Sequence, residues 1–455
     1  MTSNRLSALK SGNWRALLAC FLYFDTGFTV WLLYGPLAPF MDPQMHLAPA
    51  AAGFLVAVPV LSAAILRIGF GNLFQSVSGR TLSLVGILLS TLPVVLLPFT
   101  GTTPSYTLLL VLGVFLGMGG ASFAVALPMA GSNYPPRVQG LVLGLAAAGN
   151  IGAVLDGFLF PPLARAYGWN HAVLAVLPLL ALAAGALWWW GQDRSVKTGQ
   201  PRPAVLGFVT TFAGLILLIL GVHDGWFGIT GKAAVLLLPV PALILAVAVL
   251  PARYREVLRE RDTWVVMLVY SITFGGFVGM SAYVSLLLIA LYHIGKIDAG
   301  LLMAALAFTG AMLRPLGGWL ADRLSGARAL RWLLFGIAAI DLGFALTTPP
   351  VATGVALLFG LYAFFGLGNG ATFQLVPHRW PGRTGVLTGL VGAAGGVGGF
   401  YLPVVLGTVK QMTGHYSGGF AVFAGLSLMA WVLVSLLCGR WLTWSTANAQ
   451  IQDAA

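Results

Sequence analysis

Long apolar runs separated by short polar or basic stretches set the rhythm of this chain. Runs near 16–40, 51–74, 81–99, 105–130, 138–163 and 171–190 each approach the roughly 20 apolar residues that a bilayer-spanning helix needs. A polar stretch from Gln192 to Arg202 follows, and two further runs, 204–222 and 232–251, flank a polar turn at Asp224. A basic segment from Arg253 to Asp262 leads into six more: 263–291, 299–322, 329–348, 353–376, 384–409 and 418–441. The pattern predicts an all-α integral membrane protein with 14 transmembrane helices. Six fall in an N-terminal half (1–191), two in a linker (192–262) and six in a C-terminal half (263–455). The middle pair is near the minimum spanning length, so a re-entrant or interfacial placement is its alternative.

Composition removes the soluble classes. Of the 455 residues, 58% are hydrophobic and 8% charged, against about 25% charged in a soluble domain. The net charge of +12 would on a soluble protein point to nucleic acid, but its distribution points elsewhere. Assigning loops to alternating sides puts 18 Lys/Arg on one side, four on the other and two within helices. That asymmetry predicts a multi-pass protein of the cell inner (cytoplasmic) membrane with both termini in the cytoplasm, and no nucleic-acid partner. Arg5, Lys10 and Arg15 precede the first run as in a signal peptide, yet 16–40 is too long for an h-region and lacks an A-x-A site. Cys20 and Cys438 both lie in apolar runs and predict no disulfide framework.

The two halves are related. The second span reads Arg67-Ile-Gly-Phe-Gly71-Asn-Leu73 with Gly79 beyond, and its counterpart in the second half reads Arg314-Pro-Leu-Gly-Gly318-Trp-Leu320 with Gly326 beyond, each position offset by 247. Gly120-Ala-Ser-Phe123 pairs with Gly370-Ala-Thr-Phe373, and Gly149-Asn150-Ile-Gly152 with Gly395-Gly396-Val-Gly398. Parallel repeats of six helices are the pattern of major-facilitator transporters.

Arg67 and Arg314 carry the chemistry. An arginine at mid-membrane costs about 2.5–3.5 kcal/mol even on a lenient scale, so two at matching depth need a reason. One is snorkelling, or pairing with a carboxylate such as Asp156. The other is a central anion site to which each half gives one guanidinium, planar, permanently charged and able to fork onto an oxyanion. Asn150 lies mid-span, where its amide can donate to an anion, or bond a neighbouring helix. Phe28, Phe123, Tyr270 and Phe274 fall on spans that would line a central cavity. The glycines Gly149, Gly152, Gly395, Gly396 and Gly398 lie in no G-x-G-x-x-G context after a strand, and let helices approach closely. Asp25 and Asp156, inside their spans, are proton-relay candidates; Asp341 is mid-span on an outer helix. His223, His293 and His378 fall at helix ends or loops. No Ser/His/Asp set, metal-ligand cluster, P-loop or cofactor motif stands out, and the chain is not expected to be an enzyme.

Certain segments look like a known family. Gly318-Trp-Leu-Ala-Asp322-Arg323-Leu-Ser-Gly326 resembles the loop motif of the major facilitator superfamily, and its first-half counterpart has Gln75 where that motif usually has Asp. Within the superfamily, Pro59-Val-Leu-Ser-Ala-Ala-Ile-Leu-Arg67, Tyr270-Ser-Ile-Thr-Phe274-Gly-Gly-Phe277 and the glycine-rich fifth and eleventh core spans resemble the nitrate/nitrite porter family. The resemblance covers both halves. It implies that Arg67 and Arg314 grip the anion, with Asn150, Phe123, Tyr270, Phe274 and Phe28 around it. The implied activity is nitrate and/or nitrite transport, as nitrate/proton symport or nitrate/nitrite exchange, by a monomer whose partners are the anion, protons and the lipid bilayer. The two central helices depart from the usual twelve-helix plan and are expected to decorate the bundle. The competing reading is a proton-coupled antiporter exporting an organic compound, against which the paired arginines speak for cationic drugs. A sensor would need a sizeable soluble output domain.

Overall fold

The computed structural model describes residues 12–101, 103–226, 231–250, 256–380 and 384–453. Arg5, Lys10, Arg253, the side chain of His378 and the surroundings of Gly149 lie outside the described residues. Among the described residues, 14 helices are long and apolar enough to cross a membrane. They are α1 (Trp14–Met41), α2 (Pro49–Phe74), α3 (Gly79–Thr100), α4 (Tyr106–Gly131), α5 (Val142–Tyr167), α6 (Trp169–Trp190) and α7 (Pro201–His223). The others are α8 (Gly231–Ala248), α9 (Arg261–Tyr292), α10 (Lys296–Leu324), α11 (Gly326–Leu346), α12 (Val351–Val376), α13 (Leu387–Thr413) and α14 (Ser417–Trp444). The middle pair, α7 and α8, is thus long enough to span, at 23 and 18 residues.

Burial separates inner from outer helices. The most apolar window of α2 is 83% buried and those of α1 and α9 are 72% and 78% buried, whereas α8 and α14 reach only 28%. Large apolar side chains such as Leu88, Phe99, Trp189 and Leu436 are exposed on the outer helices, as expected where the solvent is lipid.

Inner helices are interrupted: α1 breaks at Leu33, and α5 and α4 break as well. The fifth apolar run is not one α-helix: Pro136–Ala147 is α, Ala148–Ile151 tightens to 3-10, and α-helix resumes over Gly152–Tyr167. The Ala-Gly-Asn-Ile-Gly sequence, with two glycines and an asparagine, has low helix propensity, and a mid-helix 3-10 stretch often marks a functional hinge or a sequence under strain. The helix over α4 breaks at Ser122, between Tyr106–Ala121 and Phe123–Gly131.

The chain divides into two compact units. One comprises Met1–Leu250 with Ser281–Ala304, the other Pro251–Met280 with Ala305–Ala455. In the first unit α7 packs on the back of α2 and against α4. Phe208 packs tilted at 5.5 Å on Phe70 and lies against Gly69, and Phe212 meets Phe115 at 5.0 Å. In the second unit the start of α9 is pinned by charge. Asp262, 1% exposed, accepts from Arg379 Nε at 3.1 Å, Arg440 Nη2 at 2.7 Å and Trp441 Nε1 at 3.1 Å.

The segment after α6 folds back as a strap over the α2–α3 loop. Asp193 Oδ2 accepts from the Gly79 N–H at 2.6 Å and pairs with Lys197 Nζ at 2.7 Å. Lys197 also donates to the Phe74 carbonyl at 2.7 Å, and the Gln75 carbonyl accepts from Thr198 and Gly199, each at 2.9 Å. A carboxylate at a helix start favours both its free N–H groups and its dipole. The acid absent at Gln75 is therefore supplied by the strap. Burial alone would raise the Asp193 carboxyl, but bonds from Lys197, Ser195 and Gly79 hold it below its ordinary value. A lowered native pKa stabilises above the ordinary carboxylate range, and that contribution is lost as pH falls through the native value. Asp193→Asn is expected to cost about 1–3 kcal/mol at pH 7. In detergent melts, the gap in Tm from wild type should close as pH falls below the ordinary carboxylate range.

Candidate functional site

In the first unit, α2 buries Arg67 to 1% exposure. Its Nη2 donates to the Gly120 carbonyl at 2.9 Å, next to the break in α4; a carbonyl's second lone pair can accept such a bond. Position 120 must be glycine for this approach, since a Cβ there would stand 2.5 Å from Trp31 Cδ2 and 2.6 Å from Ala63 Cβ. The guanidinium carbon lies 4.8 Å from the Phe123 ring centre and 5.5 Å from that of Trp31. Cation–ring contacts of this kind contribute about 0.5–2 kcal/mol, which helps to offset the charge's burial. Phe28 meets Trp31 edge-on at 5.1 Å, and Phe24 touches both Phe28 and Phe123. Arg67 is therefore held against an aromatic wall drawn from α1 and α4.

Asn150 sits in the 3-10 turn of α5, 2% exposed, and its Oδ1 has no hydrogen-bond partner among the described residues. A buried acceptor left unmade costs about 1–3 kcal/mol, a cost that a bound donor would remove. Two residues on, Gly152 lets α5 touch α1: a Cβ there would stand 2.5 Å from the Asp25 carbonyl oxygen and 2.7 Å from Thr29 Oγ1.

The second unit repeats the arrangement. Arg314 on α10 is followed by Pro315, which has no N–H and so loosens the helix there. Its guanidinium carbon lies 5.8 Å from the Phe373 ring, and its Nη1 is buried with no hydrogen-bond partner among the described residues. Gly370 packs directly on the Arg314 backbone, where a Cβ would collide with the Arg314 carbonyl oxygen. Gly370 and Phe373 thus stand to Arg314 as Gly120 and Phe123 stand to Arg67. Tyr270, fully buried, meets Phe373 edge-on at 4.9 Å and stacks on Phe274 at 5.0 Å with 8° between planes. On α13, a Cβ at Gly395 would stand 2.7 Å from Tyr270 Cδ1 and 2.8 Å from Phe274 Cδ1. Gly396 is buried, and Gly398 packs on the Ser271 backbone, where Ser271 Oγ donates to the Ala394 carbonyl at 2.8 Å.

The carboxylates behave unlike ion-pair partners. Asp156 is fully buried and neither of its oxygens has a hydrogen-bond partner among the described residues. Its charged neighbour is Asp25, whose carboxylate receives the Gly152 N–H. The alternative that Asp156 pairs with Arg67 is not what the described residues show: the buried acid faces another acid. Cys20 and Cys438 are buried free thiols. Asp341 is buried on α11, and nothing around it explains the charge.

Two side chains enter the site that the pattern of the sequence left unmarked. Phe373 is the ring beneath Arg314, and the Gly-Ala-Thr-Phe repeat already contained that signal. Trp31 covers Arg67, and in an α1 that is apolar along most of its length nothing local singles it out. In each unit, then, a guanidinium lies over a phenylalanine ring.

A sequence profile of the Major Facilitator Superfamily matches residues 19–403. The chain is 30% identical to the nitrite extrusion protein of Bacillus subtilis, across 92% of this chain and 91% of that protein. It is 31% identical to a probable nitrate/nitrite transporter of Mycobacterium tuberculosis (90% and 92% covered). It is 26% identical to a probable nitrate transporter of Staphylococcus epidermidis (89% and 92% covered).

Proposed function

Because the chain belongs to the nitrate/nitrite porter family of the major facilitator superfamily, we propose that it carries nitrate, nitrite or both across the cytoplasmic membrane by alternating access, with the anion between Arg67 and Arg314. The observation that carries this reading is the duplicated setting of the two arginines, each on a helix held close by a glycine and each over a phenylalanine three residues further on. A structural arginine needs one such setting; a shared ligand explains two.

In this reading the halves 1–191 and 263–455 rock about the anion, and α7–α8 travel with the first half. Asn150 and Tyr270 orient the anion through the amide and the phenol. Phe28, Trp31, Phe123, Phe274 and Phe373 keep water out, and Gly149, Gly152, Gly395, Gly396 and Gly398 let α5 and α13 approach the centre. With no anion present the two guanidinium charges repel in a low-dielectric site, so return of the empty carrier is slow.

Coupling is read from the acids. Asp25 and Asp156 are neighbouring carboxylates with no cation beside them among the described residues, and a proton placed on the pair relieves like-charge repulsion. That favours proton symport over anion exchange. Reconstituted into proteoliposomes, the protein is expected to take up nitrate when the outside is acid, with no nitrite inside. Uptake that requires internal nitrite and ignores the pH gradient would sink symport and leave exchange. Uptake of neither anion under any gradient would sink the substrate.

A further inference from the structure

We propose that a cavity on the outer side of the first unit is a capture site for small soluble anions, which it feeds to the arginine pair. This rests on the reading of the chain as an anion carrier with cytoplasmic termini. On that topology only four basic residues face outward: Arg165, Lys232, Lys296 and Lys410. Two of the four meet in one place. Arg165 from the end of α5 and Lys296 from the start of α10 line a cavity of about 500 Å³, together with Phe40, Trp169 and Asp298.

Local helix physics explains one of these cations and not the other. Arg165 lies in the last turn of its helix, where a positive charge suits the dipole. It is exposed and makes no ion pair among the described residues. Lys296 is the first residue of its helix, where a cation is disfavoured. Its ammonium stands 5.2 Å from the Phe40 ring centre and forms no ion pair with Asp298. Asp298 is turned back to its own helix start, with Oδ2 3.1 Å from where a Gly295 Cβ would be. The lining therefore keeps a net positive charge, and clefts of one sign raise the local concentration of counter-ions.

Below the cavity α5 and the outer end of α10 cross with their backbones in contact. A Cβ at Gly157 would stand 2.7 Å from the Ala304 nitrogen, and one at Gly300 would stand 2.8 Å from the Gly157 carbonyl oxygen, with Pro161 packed beside them. Gly157 is two turns from Arg165, about 12 Å along the helix. The cavity is thus an antechamber above a closed crossing of small residues, and an anion held there is positioned to enter when the crossing parts.

The potential is tested independently of transport. Ile297 lines the cavity, and both native cysteines are buried, so Ile297→Cys provides a reporter. It is labelled from outside with anionic (sulfonatoethyl) or cationic (trimethylammonioethyl) methanethiosulfonate, in neutral phosphatidylcholine vesicles that exclude an anionic headgroup as occupant. Relative to a free thiol, the anionic reagent should be favoured about tenfold at low ionic strength. The preference should vanish at about 1 M salt, where screening acts over roughly 3 Å, and in Arg165→Gln/Lys296→Gln. No preference at low salt, or no labelling from outside, overturns the site. Delivery is tested by uptake. The double variant should raise the outside KM about fivefold at low salt with the influx kcat unchanged, and the rise should vanish at about 1 M salt. An unchanged outside KM overturns the feeding role. Failure of the wild type to carry either anion would overturn the functional reading instead, and would leave the labelling result standing on its own.

Discussion

Arg67→Lys is expected to lower anion uptake by about two orders of magnitude or more in a protein that still folds, and Arg314→Lys to do the same. Truncating one member of a buried hydrogen-bonded charge pair costs about 2–5 kcal/mol, and every 1.4 kcal/mol is about a factor of ten. Lysine keeps the charge but loses the planar fork, so it cannot bond the Gly120 carbonyl, face the Phe123 ring and grip a flat anion together. Arg314 Nη1 has no hydrogen-bond partner among the described residues, so its substitution should leave thermal stability nearly unchanged and affect transport alone. The measurements are initial uptake rates in proteoliposomes, beside circular dichroism and size-exclusion profiles of the purified variants. Normal transport by either variant would dispose of the clamp.

The second large effect is expected of Asp156→Asn. The amide keeps the shape of the carboxyl and cannot exchange a proton. For one-to-one symport, a gradient of one pH unit supports up to roughly tenfold accumulation of nitrate, because one unit is about 1.36 kcal/mol. Wild type should approach that ratio and Asp156→Asn should stay near unity, while counterflow of nitrate against nitrite continues in both. Asp25→Asn separates the partners: loss in both variants identifies a shared proton, and loss only in Asp156→Asn assigns it to that side chain. Accumulation undiminished in both variants would remove the pair from the coupling step.

The membrane spans were legible because about 20 apolar residues in a row are a one-dimensional signal. The repeat was legible because Arg67 and Arg314, with the glycines and aromatics around them, keep their order in both halves. What escaped depends on distance in space. Trp31 reaches Arg67 from another helix, and in a mostly apolar span such as α1 no periodicity marks an inward face. The 3-10 turn at Asn150 and the break at Ser122 are backbone events set by glycines and packing. Asp156 read equally well as a partner for arginine or a proton site, and its surroundings, another acid and no cation among the described residues, speak against the first. The strap at Asp193 joins loops more than a hundred positions apart and leaves no local trace.

That strap changes what a comparison of relatives can mean. An alignment column at position 75 would score a lost acid, and a motif search that demands aspartate there would discount this half of the protein. The helix start at Gly79 nevertheless holds a carboxylate at 2.6 Å, contributed by a different stretch of chain. In this chain the charge at that place comes from a different letter than the motif names. Restoring aspartate at 75 would set two negative charges at one helix start, so the more family-like sequence would make the poorer protein here.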